Sequence, residues 1–433
     1  FFTDVANLDK LSEYIVKHTV IKPTNTDTSK DSVEDIINRQ LDIMSQVMNE
    51  QLRALGQAPK HTIHKTKTID KPKSFGPYRP AQTQQAILNK EQQQYLQDLI
   101  SRYCEKTPRS KQLASQWRPI LADSRAAAGF RPSIKPMLYP IIGEKAEGAY
   151  LWDIDGNQYV DISMDFGVNL LGHQHPTILQ AKQQQLAKSS AISMKPKIAG
   201  DVAELLCELT GMDRVVFCTT GTEAVMTAVR VARLNTGKQK IVIFRDSYHG
   251  HSDGLLATSS GNENLSSIAV TAGIPDDMVS QVVVLDYNDN QSLDIIKQHA
   301  NQLASVLVEP IQARHPDIQA HDFLKQLRHI TQDNNDLLIF DEMITGFRLA
   351  AGGAQAWFDI EADLVTYGKI IGGGIPLAAV TCRGNLLDAI DGGQWQYDDD
   401  SYPSAETTFF AGTYHCYALG IASAYAVLTE IKG

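Results

Sequence analysis

Two threonine hydroxyls flank a glycine at a point where an apolar strand pattern changes to a helical pattern. The predicted helix runs to Asn235, ends at Gly237 and opens with residues 219–223, Thr-Thr-Gly-Thr-Glu. The free N–H groups and the positive dipole end of a helix bind phosphate well, and the hydroxyls of Thr220 and Thr222 could add contacts. The same residues also form an ordinary N-cap, so a phosphate site and a simple cap remain alternatives.

Two charged residues lie in apolar surroundings. Lys369 is the only charged residue between Val365 and Thr381. Burial shifts a lysine toward the neutral amine, the form that makes a Schiff base with an aldehyde, and an exposed loop lysine is the alternative. Asp341 ends the apolar run Leu337–Phe340. A carboxylate there needs a cationic or donor partner unless it caps a following helix.

An aromatic ring and two histidines follow another predicted strand, in Ser247-Tyr248-His249-Gly250-His251. The ring of Tyr248 could lie flat against a bound heterocycle. His249 and His251, like His173 and His175, have the spacing of a pair of metal ligands. Neither pair has a third ligand at a recognisable spacing, so we expect no metal site.

The elements that must position these residues alternate between strand-like and helix-like segments. This alternation predicts an α/β fold with a mostly parallel sheet and helices on both faces. A hairpin is predicted over Leu151–Ile162, with its turn at Asp155-Gly156-Asn157. Six strands are predicted after it: Val215–Thr219, Lys240–Phe244, Val282–Asp286, Ser305–Glu309, Leu337–Asp341 and Asp363–Thr366. Ligands of such sheets bind at the carboxyl ends of the strands, where the residues above lie.

Taken in chain order, the features are a phosphate cradle, a stacking aromatic ring, a buried aspartate and a buried lysine. This set is what pyridoxal phosphate requires. The lysine bonds to the aldehyde, and the aspartate keeps the pyridine nitrogen protonated. The combination, rather than any one feature, predicts a pyridoxal-phosphate enzyme.

The motifs that carry a family resemblance are spread over the second half of the chain. They are residues 220–226 (Thr-Gly-Thr-Glu-Ala-Val-Met), Ser247-Tyr248-His249-Gly250, Val308-Glu309-Pro310, Phe340-Asp341-Glu342 and Gly368-Lys369. From about Arg125 to Gly433 the sequence resembles class III pyridoxal-phosphate aminotransferases, above all the glutamate-semialdehyde aminomutases. The resemblance implies the type I fold of pyridoxal-phosphate transferases, with most of a small C-terminal domain missing after Gly433.

The resemblance also implies roles for individual residues. Lys369 and Asp341 are the implied catalytic residues, with Lys369 bonded to the cofactor and Asp341 paired with its pyridinium. The other residues implied to bind the cofactor are Thr220, Gly221 and Thr222 at the phosphate, Tyr248 and His249 on one side of the ring, Met343 on its other face, Glu309, and Thr413 from a second subunit. The last implies a homodimer. The chain departs from the family pattern at Tyr417-Ala418, where Asn-Pro or His-Pro is usual.

The first part of the chain resembles the surroundings of such a domain in a multidomain enzyme. Residues 1–20 resemble the last helix of an acyl or peptidyl carrier domain, residues 21–117 read as a helical and flexible linker, and residues 118–433 as the enzyme domain. Within the linker, residues 82–100 predict a surface helix. Tyr103–Gly129 is similar to the linker before aminotransferase domains of hybrid polyketide and non-ribosomal-peptide synthetases of the microcystin or iturin type. The chain begins without Met, so we expect further synthetase domains around it and a phosphopantetheine group on the upstream carrier.

Composition excludes some classes of partner. With 40 Lys and Arg against 50 Asp and Glu, the net charge of −10 argues against a protein that binds nucleic acid or an anionic membrane. No apolar run approaches the roughly 20 residues of a membrane helix, and residues 1–20 do not resemble a signal peptide. The 5 cysteines are scattered and never spaced as CxxC, which favours a reducing cytoplasm.

Three functions are compatible with these observations. The first is an aminotransferase domain that passes nitrogen from an amino acid, glutamate or glutamine by family analogy, to a keto group of a carrier-tethered acyl chain. The second is an aminomutase that moves nitrogen within one free small substrate, which leaves residues 1–117 unexplained. The third is a catalytically silent docking domain, which the presence of Lys369 and Asp341 disfavours.

Overall fold

The computed structural model describes residues 88–128, 130–260 and 265–433. The predicted carrier helix and most of the predicted linker lie outside the described residues. Apart from the short distorted turn Met164–Gly167, in which Asp165 and Phe166 have non-helical backbone angles, the α-helices are α1 Lys90–Lys106, α2 Pro108–Trp117, α3 Pro176–Leu186, α4 Ala199–Thr210, α5 Gly221–Thr236, α6 Asn290–His299, α7 His321–Asp333, α8 Gly353–Phe358, α9 Asp388–Asp391 and α10 Ala418–Lys432. None of these helices, in the part of the chain that is described, is long and apolar enough to cross a membrane.

Twelve strands are present in the described ranges. They are β1 Gly143–Glu147, β2 Tyr150–Asp153, β3 Gln158–Val160, β4 Arg214–Cys218, β5 Lys240–Phe244, β6 Ala257–Ser259, β7 Ser267–Ala269, β8 Val282–Leu285, β9 Leu303–Val308, β10 Leu337–Asp341, β11 Leu364–Tyr367 and β12 Ala378–Cys382. Strands β1–β3 form a small antiparallel sheet, β6 and β7 form a ribbon, and the other seven strands form the central sheet.

The central sheet has the order β4-β12-β11-β10-β9-β5-β8. Only β12 runs antiparallel to its neighbours, so the carboxyl ends of the other six strands meet at one edge. The register places Phe340 beside both Val308 and Val365, and Asp341 beside Thr366. The residues that follow β4, β5, β9, β10 and β11 are therefore brought to the same edge.

Apolar strands build a core on both faces of this sheet. All six residues of β9 are buried. Val306, Leu307 and Val308 alternate between the two faces because successive side chains of a strand point in opposite directions, and a register shift against β5 interrupts the alternation at Ala304. Val306 and Val308 belong to a cluster with residues of α4, α7 and α10. Ala304 and Leu307 belong to a second cluster, which includes the buried face of α5. The predicted α/β class with helices on both faces is confirmed.

The sequence prediction located every strand of the sheet except one. The six predicted strands are present. Lys240–Phe244 and Leu337–Asp341 match at both ends, and the ends of the others are shifted by at most two residues, as in Ser305–Glu309 against β9. The predicted hairpin is also present as β2 and β3. The missed central strand, β12, reads Ala-Ala-Val-Thr-Cys. Its alanines have weak strand propensity, and burial between β4 and β11 is what makes it a strand.

Helices α1 and α2, which precede the small sheet in the chain, contact the predicted hairpin. The predicted surface helix over residues 82–100 overlaps α1, which begins at Lys90, continues six residues further to Lys106 and has no buried residue. The backbone N–H groups of Arg109 and Ser110, in the first turn of α2, donate to the carboxylate of Asp155 at 2.8 and 3.0 Å. Asp155 lies in the hairpin turn, so the turn also caps α2, which places a negative charge at the positive end of its dipole. The domain boundary after Trp117 stays a prediction.

Candidate active site

The start of α5 combines a cap with free donors. Thr220 Oγ1 accepts from Glu223 N at 3.3 Å, and the Glu223 carboxylate accepts from the N–H of Thr219 and Thr220. In the part of the chain that is described, the N–H groups of Gly221 and Thr222 have no hydrogen-bond acceptor. They belong to the first turn, whose N–H groups lack acceptors within the helix. The two alternatives drawn from the sequence, a helix cap and a phosphate site, are therefore both compatible with the structure. The helix start has a capping box and also, at its positive end, two N–H donors without acceptors among the described residues.

The loop after β5 packs closely on this helix start. Gly250 has φ +85°, and a Cβ at this position would lie 2.5 Å from Thr222 Oγ1 and 2.9 Å from Thr222 Cα. The next residue, His251, donates its N–H to Thr222 Oγ1 at 3.3 Å. The sequence therefore needs glycine here both for the left-handed backbone and for the contact. The loop brings Tyr248 and His249 beside the open donors of α5.

A buried imidazole and carboxylate form the centre of the site. His249 Nδ1 lies 2.7 Å from Asp341 Oδ2, and Asp341 Oδ1 accepts from Thr366 Oγ1 at 3.1 Å and from Met343 N at 3.2 Å. The buried His249 Nε2 has no partner among the described residues. The helix-cap alternative for Asp341 is wrong, because the next described helix, α8, begins only at Gly353.

A second carboxylate lies at the neighbouring strand end. Glu309 is buried, and its Oε2 accepts from Tyr248 N at 3.2 Å. Burial raises the pKa of Glu309 to about 7, the charge of His249 opposes this rise, and the charge of Asp341 adds to it. Glu309 can thus hold or release a proton near neutral pH, next to the His249–Asp341 pair.

Lys369 follows β11 in an uncommon backbone conformation. It begins the short 3-10 turn Lys369–Gly372 with φ +47°, a region that costs a non-glycine residue about 1–2 kcal/mol. Its side chain is half-buried, so the exposed-loop alternative is wrong. Burial lowers the pKa of the amine, and the charges of Asp341 and Glu309 partly restore it. The amine therefore shares the electrostatic surroundings of both carboxylates and is biased toward its neutral form.

Met343 connects the helix start with the lysine turn. A Cβ built on Gly221 would lie 2.8 Å from Met343 Sδ, and a Cβ on Gly368 would lie 2.5 Å from the same atom. The thioether therefore lies against both glycines. The first residue of α5 and the residue before Lys369 are thereby held on either side of one flexible side chain.

Tyr248 and Thr413 are exposed, as is Thr220. The Tyr248 ring is 48% exposed. Thr413 is exposed in an irregular stretch before α10, in a turn where the rings of Phe410 and His415 stack at 4.3 Å. The described contacts bring together the residues at the ends of β4, β5, β9, β10 and β11, and they do not bring Thr413 to them.

Three polar residues to which sequence reasoning assigned no role support the site. Buried Gln312 donates to Arg245 O at 2.7 Å and to Ser247 Oγ at 2.9 Å, which holds the loop of Tyr248 and His249. Thr366 bonds to Asp341, as described above. Glu342 accepts from Ala354 N at 2.6 Å, and burial raises its pKa to about 7. The sequence offers one signal by which these three residues could be found, namely their position, since each residue follows or lies within a predicted strand.

Two of the four histidines considered as metal ligands have a carboxylate partner, and the buried His175 Nδ1 has no hydrogen-bond partner among the described residues. His249 pairs with Asp341, and His173 Nε2 lies 2.7 Å from Asp161 Oδ2. Within residues 88–128, 130–260 and 265–433, no group of three or more His, Cys, Asp and Glu side chains could hold a metal ion.

Comparison with protein families and curated proteins gives a consistent result. The family model of class-III aminotransferases matches residues 132–432. Glutamate-1-semialdehyde 2,1-aminomutase of Alkaliphilus oremlandii is 37% identical over 292 residues, which cover 67% of this chain and 66% of that protein. For the corresponding aminomutase of Acetivibrio thermocellus the identity is 39% over 255 residues, 58% of this chain and 60% of that protein. The chain thus spans less than two thirds of these curated relatives.

Solved structures are similar over a larger share of the chain. A β-phenylalanine aminotransferase from Variovorax paradoxus superposes with a TM-score of 0.62 and 27% identity, over 77% of this chain and 71% of the other.

Proposed function

Because the chain belongs to the class-III aminotransferase family, we propose that it moves an amino group from an amino-acid donor to a keto group. The family depends on pyridoxal phosphate. When bound, this cofactor withdraws electrons from the carbon that carries the transferred nitrogen. The remaining work falls to side chains of this protein, which must bind the cofactor, orient the donor and move a proton.

The residues at the strand ends fit this cofactor. The two N–H groups at Gly221 and Thr222 point from a positive helix end and suit a phosphate. The partly desolvated amine of Lys369 suits an aldehyde. The buried Asp341 carboxylate suits a protonated ring nitrogen, and the unpartnered Nε2 of neighbouring His249 leaves one polar atom for a further contact. We therefore assign the phosphate to residues 220–222, the ring to Tyr248, His249, Asp341 and Met343, and the aldehyde to Lys369.

The single observation that carries the proposal is the position of the Lys369 amine. It lies in the electrostatic field of Asp341 and Glu309, and burial favours its neutral form. A neutral amine can take a proton from the donor and return it, which is the task of a general base in amino transfer. Glu309, with its pKa near 7, keeps the loop of Tyr248 in place through a backbone hydrogen bond.

For the acceptor we propose the β-keto group of an acyl chain tethered to a carrier. The similarity of Tyr103–Gly129 to the linkers of hybrid synthetases supports a tethered substrate, which a linker presents at high effective concentration. The Variovorax structure is named for a β-amino acid, which supports chemistry at the β position. Glutamate or glutamine is the proposed donor, and the upstream carrier would bear phosphopantetheine.

The proposal extends to assembly and location. We propose a homodimer in which the exposed Thr413 contacts the phosphate bound by the partner subunit. Flanking synthetase domains are the other proposed partners. The acidic net charge and the scattered cysteines support a cytoplasmic protein that does not bind nucleic acid.

A second candidate is an aminomutase that moves nitrogen within a free amino-aldehyde. The identity of 37% to the Alkaliphilus aminomutase favours it. The two candidates use the same residues at the strand ends and differ in whether the substrate is tethered.

Mass spectrometry on the substrate separates the two candidates. The protein with cofactor and glutamate is mixed with a β-ketoacyl carrier, and in parallel with free glutamate-1-semialdehyde. Conversion of the tethered ketone to an amine, with nitrogen from labelled glutamate, supports tethered transfer. Turnover of the free aldehyde alone would instead support the aminomutase, and turnover of neither would contradict both.

A further inference from the structure

The turn that begins with Lys369 accepts hydrogen bonds from side chains of two helices that lie outside the site. Gly372 O accepts from Ser423 Oγ of α10 at 2.7 Å, and Gly373 O accepts from Lys182 Nζ of α3. A Cβ on Gly373, which has φ +53°, would lie 2.8 Å from Ser423 Oγ and 3.2 Å from Ile178 Cγ2. The backbone of this turn therefore lies directly on α3 and α10.

Lys182 is an unusual residue to make such a contact. It is half-buried, and no carboxylate lies within ion-pair distance of it among the described residues. Burial lowers the pKa of its ammonium, so its position has a cost that a lysine extended into water would avoid. It also borders a cavity of about 420 Å³ lined by residues of α3 and by Gly373 and Gly374. The Lys182 ammonium donates instead to the carbonyl oxygen of Gly373.

The contact matters because Lys369 adopts a strained conformation. A left-handed backbone at a residue other than glycine persists only where its surroundings hold it. Within the turn, Gly373 N donates to Ile370 O at 3.0 Å and Ile375 N to Gly372 O at 2.9 Å. The two external bonds end on Gly372 and Gly373, at the end of the same turn.

We propose that Lys182 and Ser423 are positioning residues for Lys369. By donating to the carbonyls of Gly373 and Gly372, they hold the turn whose first residue is Lys369 and so fix the direction of its side chain. Neither residue touches the reacting atoms. The inference rests on the proposed role of Lys369, and its structural part can be tested without catalysis.

The test is hydrogen exchange of the amides of Ile371, Gly373 and Ile375 in the intact chain. Lys182→Met removes the donor while keeping the length of the side chain, Lys182→Arg restores a donor, and Ser423→Ala removes one hydroxyl. Lys238→Met is the matched control. The Lys238 ammonium is also partly buried and donates to Ala300 O at 3.0 Å and to Asp336, but at the opposite edge of the sheet.

We expect Lys182→Met and Ser423→Ala to speed exchange of these three amides about tenfold, a loss of about 1.4 kcal/mol. Rates are taken relative to the slowest amides of the core, because Lys238→Met leaves the buried Asp336 without its partner and lowers global stability. On this scale Lys182→Arg restores slow exchange, and Lys238→Met leaves the three amides unchanged. With cofactor bound, kcat falls in the first two variants while the KM of the donor stays unchanged. Slow exchange in Lys182→Met and Ser423→Ala, or equal acceleration by Lys238→Met, would overturn the inference.

The two readouts separate this inference from the proposed function. Faster exchange without any amino transfer in the unchanged protein would contradict the function and leave the anchoring of the turn intact. Ser423→Ala removes a single atom, so the inference stays testable even where Lys182→Met does not fold.

Discussion

The imidazole of His249 lies 2.7 Å from the carboxylate of Asp341, and both side chains are 2% exposed. The pair joins the loop after β5 to the end of β10. Removing one partner of such a buried pair leaves the other without compensation, which costs about 3–5 kcal/mol.

We predict that Asp341→Asn lowers kcat at least about 100-fold and weakens cofactor binding, because a neutral amide does not stabilise a positive ring nitrogen. Titration of the apo protein with cofactor, followed by absorbance, measures the binding. The control is Asp363→Asn. Asp363 pairs with Arg328 at 2.6 Å and lies at the other end of the parallel strands. The Asp363→Asn variant should lose stability and keep its affinity for the cofactor. Equal loss of affinity in both variants would contradict the assignment of Asp341 to the ring nitrogen.

A second prediction concerns Lys369. Lys369→Ala and Lys369→Arg should both lower kcat about a thousandfold or more, since neither offers a neutral primary amine as base or nucleophile. Both should also lose the visible absorbance of the covalently bound cofactor. Exposed Lys297→Ala is the control and should behave as the unchanged protein. Survival of absorbance and turnover in Lys369→Ala would show that another residue carries the chemistry.

A third prediction compares two glycines with similar backbones. Gly250 and Gly273 have φ +85° and +91°, but a Cβ on Gly250 would meet Thr222, whereas a Cβ on Gly273 would meet nothing within 4 Å. Substitution by alanine should cost each about 1 kcal/mol of stability or more through backbone strain. Gly250→Ala alone should also weaken cofactor binding, at least about tenfold, because it displaces the start of α5. Urea unfolding and cofactor titration measure the two effects, and similar affinities in both variants would argue against a cradle at Thr222.

A fourth prediction follows from Glu309. Because burial raises its pKa from 4.5 to about 7, the folded protein binds this proton more tightly than the unfolded chain does. The contribution to the free energy of unfolding is complete below pH 4.5 and is lost as the pH rises through about 7, by up to about 3 kcal/mol. Glu309→Gln should flatten this decline in part, since Glu342 adds a second carboxyl with a pKa of about 7.

Urea unfolding between pH 5 and pH 8 measures this slope. The exposed Glu208, which pairs with Lys432 on the surface, supplies the control variant Glu208→Gln, and its slope should match that of the unchanged protein. An unchanged slope in Glu309→Gln would mean that Glu309 titrates as an ordinary surface glutamate.

The sequence was sufficient to predict the strands that are apolar throughout and the site residues that directly follow them. Val282–Leu285 and Leu337–Phe340 are unbroken apolar runs, which is typical of strands buried on both faces. The edge at which Asp341 and Lys369 meet then follows from the parallel arrangement. β12 could not be predicted in this way, because its two alanines become strand residues only between β4 and β11.

The partners within the site depend on strand order, which local sequence does not contain. Thr366 bonds to Asp341 because β10 and β11 are neighbours in that register. Gln312 reaches the loop of His249 because β9 lies next to β5. The hairpin turn at Asp155 was predicted from its Asp-Gly-Asn signal, whereas its second use as a cap for α2 depends on a contact about 45 residues away.

That cap shortens the tether in the proposed reaction. The first turn of α2 is bonded to Asp155, and the end of α1 is also held, because Tyr103 packs on Tyr139 and Cys104 contacts Pro136 O. In the proposed reaction, a carrier attached upstream would therefore move from a point before these contacts rather than from Trp117. The 17 residues of α1 span about 25 Å. In the proposed tethered reaction, this contact at the hairpin turn therefore restricts the volume that a delivered acyl chain can reach around the carboxyl ends of the strands.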